Sequence, residues 1–209
     1  ARSEQLMAGW QTHDGVAVAL PLANVDTDQL IPARFMSVPR SEGYGDYLLH
    51  DVRRDASGAL RPEFPLNQAQ QASVLVAGAN FGSGSSREAA VYALIDAGYH
   101  AVFASSFGDI FASNSVNNGL LPARIKPETY DELVSFIGKS PCEVRIDLKN
   151  GQASFNAKQL DFVLDETWRM KLLNGWDDID LTQQHNAQIS AFKSKYAQTK
   201  PWAVPASNV

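Results

Sequence analysis

The sequence feature that most constrains the fold is a short apolar run that ends in a turn rich in Gly and Ser. The apolar run is Val74–Ala77, the turn covers residues 78–87, and a second apolar segment covers residues 89–97. This order predicts a buried strand, a tight loop and a buried helix. Glycines in the loop allow positive φ and a close backbone approach to a ligand. Because the loop leads into a helix N-terminus, where free N–H groups and the helix dipole attract negative charge, the stretch predicts an anion site.

The same stretch also fits an ordinary capped helix. Ser85 and Glu88 have the S-x-x-E spacing of a capping box, in which each side chain accepts a hydrogen bond from a backbone N–H. The glycines match neither the G-x-G-x-x-G pattern nor a P-loop, which would need a Lys followed by Ser or Thr. The spacing therefore leaves both interpretations open, and it does not identify the anion.

The composition is that of a globular protein with a core of its own. The chain has 209 residues, of which 44% are hydrophobic and 20% charged, and we expect one domain with loose ends at residues 1–9 and 200–209. A net charge of −5 argues against nonspecific nucleic-acid binding. No apolar run approaches the roughly 18 residues of a membrane span, and no secretory signal is visible. We therefore expect a cytoplasmic protein that binds neither membrane nor nucleic acid.

The cysteine and histidine content limits metal chemistry. Cys142 is the single cysteine, so the chain cannot form an internal disulfide, an iron–sulfur cluster or a Cys-rich zinc site by itself. The four histidines show no ligand spacing; they are His13, His50, His100 and His185. We expect no metal site on this chain, and any metal would have to come from another chain.

The region before the glycine loop carries a second candidate feature. Residues 10–20 predict a hairpin or a pair of short strands, with a turn signal at 13–15. In residues 23–32, Asp26 and Asp28 flank Thr27, which fits either an Asx-type turn capping a short helix or a carboxylate held near a reacting hydroxyl. Residues 37–67 are rich in Gly, Pro and charge and predict a mobile flap with a short helix near residues 47–52. Four arginines of this region could reach an anion: Arg34, Arg40, Arg53 and Arg54.

The region after the loop predicts alternating strands and helices. We expect a strand at 100–104, a helix at 107–117 capped by Ser105 and Ser106, an extended segment at 120–125 and a helix at 128–137. This alternation indicates an α/β fold with a partly parallel sheet flanked by helices. Further elements are a hairpin turning at Asn150–Gly151, a strand at 160–164, and helices at 166–173 and 181–196.

Several motifs resemble the small subunits of 3-isopropylmalate dehydratase, in the aconitase-like swivelling-domain family. They are Asn-Phe-Gly-x-Gly-Ser-Ser-Arg-Glu at 80–88, Ser-Phe-x-x-Ile-Phe-x-x-Asn at 106–114 and Gly-Leu-Leu-Pro at 119–122. Residues 24–35 match the N-terminal motif of that family, and Asn174–Gly175 with Leu181–Thr182 match its C-terminal part. The resemblance covers roughly residues 10–196.

This resemblance implies a swivelling β/β/α domain and a two-chain hydro-lyase of leucine biosynthesis. The implied reaction converts 2-isopropylmalate to 3-isopropylmalate by dehydration and rehydration. The large subunit, as partner, would carry a [4Fe-4S] cluster, while this chain would bind no cofactor and would contact a small dicarboxylate substrate.

The resemblance also assigns roles to residues. Ser85 corresponds to the serine that removes the proton α to a carboxylate, and Arg87 to the arginine that binds a substrate carboxylate. Thr27 and Asp28 correspond to a pair that lines the same pocket, and Gly84 and Ser86 complete the substrate-binding set. A serine hydroxyl is a poor base in water, so its alkoxide would need backbone N–H groups and positive charge nearby.

Four residues depart from the usual motif of the family. Ser83, Ala89, Val91 and Tyr92 stand where the family usually has Cys, His, Pro and Trp. These changes leave two alternatives open. One is a paralogous subunit for another 2-hydroxy diacid of the methylmalate, citramalate or homoaconitate type, and the other is a catalytically silent binding partner that keeps the fold.

Overall fold

The centre of the protein is a seven-stranded sheet in the order β4-β3-β2-β1-β5-β6-β7, seen in a computed structural model that describes residues 8–138 and 140–203. The first four strands run parallel to one another, and the last three form an antiparallel extension on β1. The predicted α/β class with a partly parallel sheet is confirmed. The strands are β1 (Thr12–Leu20), β2 (Val74–Ala77), β3 (Ala101–Ala104), β4 (Leu121–Arg124), β5 (Cys142–Asp147), β6 (Gln152–Phe155) and β7 (Lys158–Asp161).

Helices connect the parallel strands, because a parallel pair needs a crossover. Pro127 occupies the first turn of one helix and Gly175 ends another in the left-handed conformation, as expected for these residues. None of the described helices is long and apolar enough to cross a membrane. The helices are α1 (Thr27–Leu30), α2 (His50–Arg53), α3 (Pro65–Gln68), α4 (Glu88–Asp96), α5 (Asp109–Asn117), α6 (Pro127–Ile137), α7 (Glu166–Asn174), α8 (Asp178–Gln183) and α9 (Asn186–Thr199).

The alternation of side chains along the central strands produces two core layers. Leu75 and Ala77 face a layer that includes residues of α1, α4 and α5, whereas Val74 and Val76 face the layer that includes α6, α7 and the antiparallel strands. All four residues of β2 are buried, as is typical of a parallel strand covered on both faces. In the second layer, Phe103 contacts Phe155 and Phe162 edge-on, which joins the two halves of the sheet; the ring centroids lie 5.3 and 5.6 Å away.

The sheet curls until its two ends meet. Arg124 at the end of β4 exchanges backbone hydrogen bonds with Val163, which follows β7, at 2.8 and 3.2 Å. Pro122 lacks a donor and lies in β4, an edge strand of the ladder, where a missing donor is tolerated.

The predicted hairpin at residues 10–20 is wrong. The segment is one long strand, β1, whose second half pairs with β2 and whose first half pairs with β5. Gly15 is not a turn residue. A Cβ there would lie 2.1 Å from Ser73 Oγ, so this glycine allows a close approach between neighbouring segments.

The segment at 37–67 contains more regular structure than predicted. It holds α2 and α3 and two short 3₁₀ turns, and it buries Tyr44, Leu48, Leu49 and Leu66 against the layer that contains α4. The predicted short helix corresponds to α2. The mobility of this segment stays a prediction.

The C-terminal part also differs from the prediction. The single helix expected at 181–196 is divided into α8 and α9, with a break at Gln184 and His185. Of the predicted loose ends, residues 1–7 and 204–209 lie outside the described residues. The division into one domain stays a prediction.

Candidate active site

Three loops meet at the carboxyl edge of the parallel strands. The loop after β2 (residues 78–87, hereafter the glycine loop) lies between the loop after β1 and the loop after β3. Gly78 N–H donates to Leu22 at 3.0 Å and Gly82 N–H donates to Val25 at 2.7 Å. On the other side, Phe81 N–H donates to Ser106 at 3.1 Å. The glycine loop is therefore fixed from both sides, at the edge where ligands bind in open α/β sheets.

Gly82 is the point of closest packing in this loop. Its φ is +71°, and a Cβ there would lie 2.1 Å from the ring of Phe111. Gly108 faces it, and a Cβ at Gly108 would lie 2.5 Å from the carbonyl oxygen of Gly82. Both positions require glycine, because a side chain would separate the glycine loop from the start of α5.

Thr27 joins the loop after β1 to the glycine loop. Its N–H donates to the Ser83 carbonyl at 2.9 Å, and its buried hydroxyl donates to the Ser85 carbonyl at 2.8 Å. Thr27 therefore positions the backbone of Ser85, and its own hydroxyl is committed to that bond.

The sequence left two interpretations open for the carboxylates that flank Thr27, a helix cap and a group in the site. Asp26 forms the cap, and Asp28 lies beside the site. Asp26 caps α1: its carboxylate accepts from Gln29 N–H at 2.7 Å, and the Gln29 side chain accepts from Asp26 N–H at 3.1 Å. Asp28 is free of that role and forms an ion pair with Arg87. The cap thus directs the neighbouring carboxylate to the arginine predicted for substrate binding.

Arg87 is the most enclosed charge in the site. Its side chain is 19% exposed, whereas that of Asp28 is 56% exposed. The contact with Asp28 uses Nη1, and among the described residues no acceptor lies against Nε or Nη2. The side of the guanidinium that carries Nε and Nη2 is therefore available for a bidentate bond to a carboxylate.

The capping box that the spacing of Ser85 and Glu88 allows is not formed. Helix α4 begins at Glu88 with Arg87 as N-cap, and the cap makes no side-chain hydrogen bond. Glu88 instead accepts a hydrogen bond from Asn118 at 2.9 Å. The predicted cap at Ser105 and Ser106 is also wrong: α5 begins after Gly108, and Ser106 Oγ accepts from Asn80 N–H at 2.8 Å.

The N-terminus of α4 keeps its hydrogen-bonding capacity. Within the described part of the chain, no acceptor satisfies the backbone N–H groups of residues 85–89, and the hydroxyls of Ser85 and Ser86 make no hydrogen bond. Ser85, Ser86 and Gly84 are exposed. Free N–H groups, two free hydroxyls and an arginine at a helix N-terminus form an anion-binding arrangement.

A depression of about 210 Å³ adjoins these groups. Of the six site residues predicted from the sequence, Thr27, Gly84, Ser85 and Arg87 line this depression, whereas Asp28 and Ser86 do not. A wall that the sequence did not predict is formed by the start of α5, where Ile110 is 54% exposed; that wall consists of Gly108, Asp109, Ile110 and Phe111. The order of strands could have indicated this wall, because the loops after neighbouring parallel strands meet at one edge.

The arginines before and within the 37–67 segment do not reach this depression. Each is engaged elsewhere: Arg34 with Asp51, Arg40 with Asp96, Arg53 with Asn67 and Arg54 with the Gly58 carbonyl. The hydrogen bonds from Arg34 lower the pKa of Asp51 to about 2. A larger cavity of about 390 Å³ lies beside Arg53 and Tyr99, but no predicted site residue lines it.

The departures from the usual family motif have structural explanations in two cases. Val91 is fully buried in the core beneath α4. The ring of Tyr92 lies 3.4 Å beneath the Arg40 guanidinium, which also pairs with Asp96 at 3.1 Å. Tyr92 therefore helps to attach the 37–67 segment to α4. Ala89 is half-buried, and nothing in the structure explains this substitution.

No group of three or more His, Cys, Asp or Glu side chains in residues 8–138 and 140–203 could hold a metal ion. Cys142 is buried in β5, and burial raises the pKa of its thiol. Among the described residues, the groups at the start of α4 are those suited to an anion.

Comparison with known proteins identifies the family of this chain. A family model described as the aconitase C-terminal domain matches residues 7–128. The chain is 43% identical over 187 residues to the 3-isopropylmalate dehydratase small subunit of Shouchella clausii. The aligned region covers 88% of this chain and 95% of that relative. It is 44% identical over 195 residues to the subunit of the same name from Shewanella oneidensis, with 90% and 97% covered.

A solved structure shows the same fold. The crystal structure of 3-isopropylmalate dehydratase from Methanocaldococcus jannaschii matches with a TM-score of 0.63 and 26% identity, covering 86% of this chain and 98% of that chain. Both bacterial relatives are named as small subunits, which implies that a large subunit accompanies them. The chain therefore belongs to the aconitase-like family of 3-isopropylmalate dehydratase small subunits.

Proposed function

We propose that this chain, together with a large subunit, converts 2-isopropylmalate to 3-isopropylmalate by dehydration and rehydration. The observation that carries the proposal is the arrangement at the start of α4: Arg87 with a free guanidinium edge, the free Ser85 hydroxyl and unsatisfied N–H groups lie together. The names and similarity of the relatives give the substrate. The product is a constitutional isomer of the substrate, so a site of this kind has to move one proton and one hydroxyl group.

Arg87 binds one substrate carboxylate in this proposal. Two parallel N–H···O bonds from Nε and Nη2 would fix the plane of the carboxylate, while Asp28 holds the opposite edge of the guanidinium. The N–H groups at the start of α4 would add partial positive charge. The carboxylate is thereby held with its α-carbon beside Ser85.

Ser85 accepts and returns the proton on that α-carbon. Its hydroxyl makes no hydrogen bond among the described residues, so it is available to the substrate, and its backbone is fixed by Thr27. The helix N-terminus and Arg87 stabilise the negative charge of the alkoxide. The proton is then returned to the carbon that lost the hydroxyl, while a hydroxyl adds to the carbon that lost the proton, and this completes the exchange.

The large subunit would hold the [4Fe-4S] cluster, because Cys142 is the single cysteine of this chain and is buried in β5. When bound there, the cluster supplies Lewis-acid assistance to the departing hydroxyl. Residues at the carboxyl edge of this chain would then form one wall of a site that two subunits complete, and subunit closure would exclude water.

The test is turnover of the reconstituted two-chain enzyme. We expect the wild-type chain with a cluster-loaded large subunit to produce the absorbance of the alkene diacid, and Ser85→Ala to lower kcat by about 10²–10⁴-fold, the usual contribution of a positioned proton-transfer group. Ser154→Ala on β6 serves as a control and should keep full activity. Undiminished turnover in Ser85→Ala would remove its role, and absence of isopropylmalate turnover in the wild type would contradict the proposed function.

A second variant tests the carboxylate-binding geometry. Arg87→Lys keeps the positive charge beside Asp28 but loses the planar fork, so we expect KM to rise and kcat to fall together. Steady-state kinetics with 2-isopropylmalate measure both constants. Unchanged kinetics would mean that charge alone matters, or that the carboxylate binds elsewhere.

A further inference from the structure

Helix α9 is long and buries none of its residues. It spans 14 residues, all of them at least partly exposed, and within residues 8–138 and 140–203 its main packing partner is the short 3₁₀ turn Pro201–Ala203. Helices of this length are marginal in water by themselves, since most helix stability in proteins comes from packing an apolar face. The exposure of α9 therefore indicates a surface that a partner covers.

One side of this region is aromatic. Ile189, Phe192 and Tyr196 follow the i, i+3, i+7 spacing of one helix face. The rings of Phe192 and Tyr196 stack at 5.7 Å, although Phe192 is 66% exposed, and Trp202 on the following turn is 80% exposed. We call these four residues the C-terminal aromatic surface. Exposed aromatic clusters of this kind are rare on free monomers and enriched at the centres of protein interfaces.

The charge around this surface is opposite to that of the chain as a whole. Residues 181–209 contain no Asp or Glu, whereas the complete chain has a net charge of −5. Lys193 and Lys195 lie on α9, and Lys200 lies over the Tyr196 ring at 5.6 Å. A partner that covers the C-terminal aromatic surface should therefore offer an apolar groove with carboxylates at its rim.

We propose that the C-terminal aromatic surface docks into an apolar, acid-rimmed groove of the large subunit. The proposal rests on the proposed function, which supplies that partner. A second copy of this chain is a poorer occupant, because α9 against α9 would bring lysines together. A membrane is poorer too, since the polar face of α9 carries uncharged residues where an interfacial helix is strongly charged; among them are Ser190, Ser194 and Gln198.

Helix α8, which precedes the C-terminal aromatic surface in the chain, is anchored at the end of α5 that lies away from the glycine loop. Lys171 on α7 binds Asn117, the last residue of α5, and Asp178, the first residue of α8. The active site lies at the other end of α5, and nine helical residues span about 13 Å. Docking through α9 would therefore tie the subunits together without contacting substrate, and its loss should change affinity rather than the chemical step.

The experiment measures the dissociation constant of the purified full chain and the cluster-bearing large subunit by calorimetry. We expect Phe192→Ala and Trp202→Ala each to raise Kd by about tenfold or more, as for aromatic anchors at an interface centre. Phe136→Ala is the matched control, because this phenylalanine of α6 is 47% exposed. We expect its Kd to equal that of the wild type. The double change Lys193→Glu and Lys195→Glu should raise Kd more at low salt than at high salt, because salt screens the charges.

Different results would contradict the docking proposal and the proposed function. Wild-type affinity in Phe192→Ala, or equal weakening in Phe136→Ala, would overturn the docking proposal while leaving turnover intact. Binding that depends on Phe192 without any turnover would support docking and contradict the function. Failure of the wild-type chain to bind the large subunit would overturn docking. So would a Phe192-dependent dimer in ultracentrifugation of this chain alone, or Phe192-dependent binding to vesicles of anionic phospholipid.

Discussion

Gly82 is the residue on which the shape of the glycine loop depends most directly. It combines a φ of +71° with contact to the Phe111 ring, so both conformation and space exclude a side chain. We expect Gly82→Ala to lower the free energy of unfolding by about 2–5 kcal/mol, from the left-handed strain of alanine and the overpacking against Phe111. Urea denaturation measures this as a lower midpoint with an unchanged slope.

Gly58 supplies the matched control for this prediction. Its φ is +86°, but a Cβ there would meet nothing within 4 Å. Gly58→Ala should therefore show the strain alone, about 1–2 kcal/mol. Equal destabilisation in the two variants would mean that the contact with Phe111 relaxes at no cost, and that Gly82 is required for its conformation only.

At the scale of single residues, the sequence indicates which residues lie in the candidate site better than it indicates which side chains contact them. The glycines, Ser85 and Arg87 were found because the loop has an unusual local composition. The partner of Arg87 was not found, because Asp26 and Asp28 look alike in sequence and only the cap on α1 distinguishes them. The capping box considered at Ser85 is absent for a related reason: the helix starts at Glu88, two residues later than that spacing implies.

At the scale of elements, a buried lysine holds α5, α7 and α8 together. The side chain of Lys171 is 4% exposed and pairs with Asp178, which is 71% exposed. Removing Asp178 leaves a charge in the interior, whereas removing Lys171 leaves a carboxylate in water. We expect Asp178→Ala to cost about 2–3 kcal/mol, somewhat less than for a fully buried pair because Asp178 is solvated. Lys171→Met should cost less than about 1.5 kcal/mol.

Chemical denaturation of both variants checks this asymmetry. A loss in Lys171→Met that equals or exceeds the loss in Asp178→Ala would show that the hydrogen bonds of Lys171, and not its charge, hold the helices. The hydrogen bond from Lys171 also lowers the pKa of Asp178, so the stability that this pair contributes should be lost only as the pH falls below the usual carboxyl range.

Strands and helices with strong hydrophobic periodicity are predictable from the sequence. Their exact ends are not predictable where a contact with a distant segment decides them. The pair Asp14–Gly15, which usually marks a turn, predicts a hairpin in a segment that is the continuous strand β1. Glycine is required at position 15 because Ser73, from a different segment, approaches closely there. The break between α8 and α9 has no sequence signal, because neither Gly nor Pro marks it and Gln184 stays near helical φ and ψ.

At the scale of the whole molecule, the two edges of the parallel sheet have different tasks. The carboxyl edge holds the free hydroxyls, free N–H groups and Arg87. The amino edge holds a packed histidine pair: the rings of His13 and His100 stack at 4.5 Å, and His13 Nε2 lies 2.8 Å from Ser73 Oγ. This separation predicts that the amino edge affects stability without affecting the reaction.

The histidine pair gives the stability a defined pH dependence. Burial, followed by the charge of His100, lowers the pKa of His13 below its ordinary value of 6.5, and Asp14 opposes this only in part. The unfolded chain therefore binds a proton at His13 more readily than the folded chain does. The free energy of unfolding should accordingly fall as the pH drops below about 6.5 and level off once the folded histidine is also protonated.

Urea denaturation of the wild type and His13→Gln between pH 7.5 and pH 5 tests this dependence. Glutamine keeps a polar group beside Ser73 but does not titrate, so the loss of stability on acidification should be smaller in His13→Gln than in the wild type. His185→Gln, an exposed position at the start of α9, should follow the wild type. Parallel curves for the wild type and His13→Gln would contradict the role of His13. A reduced kcat in His13→Gln at neutral pH would show that the two edges are coupled, because this histidine lies at the edge opposite the glycine loop.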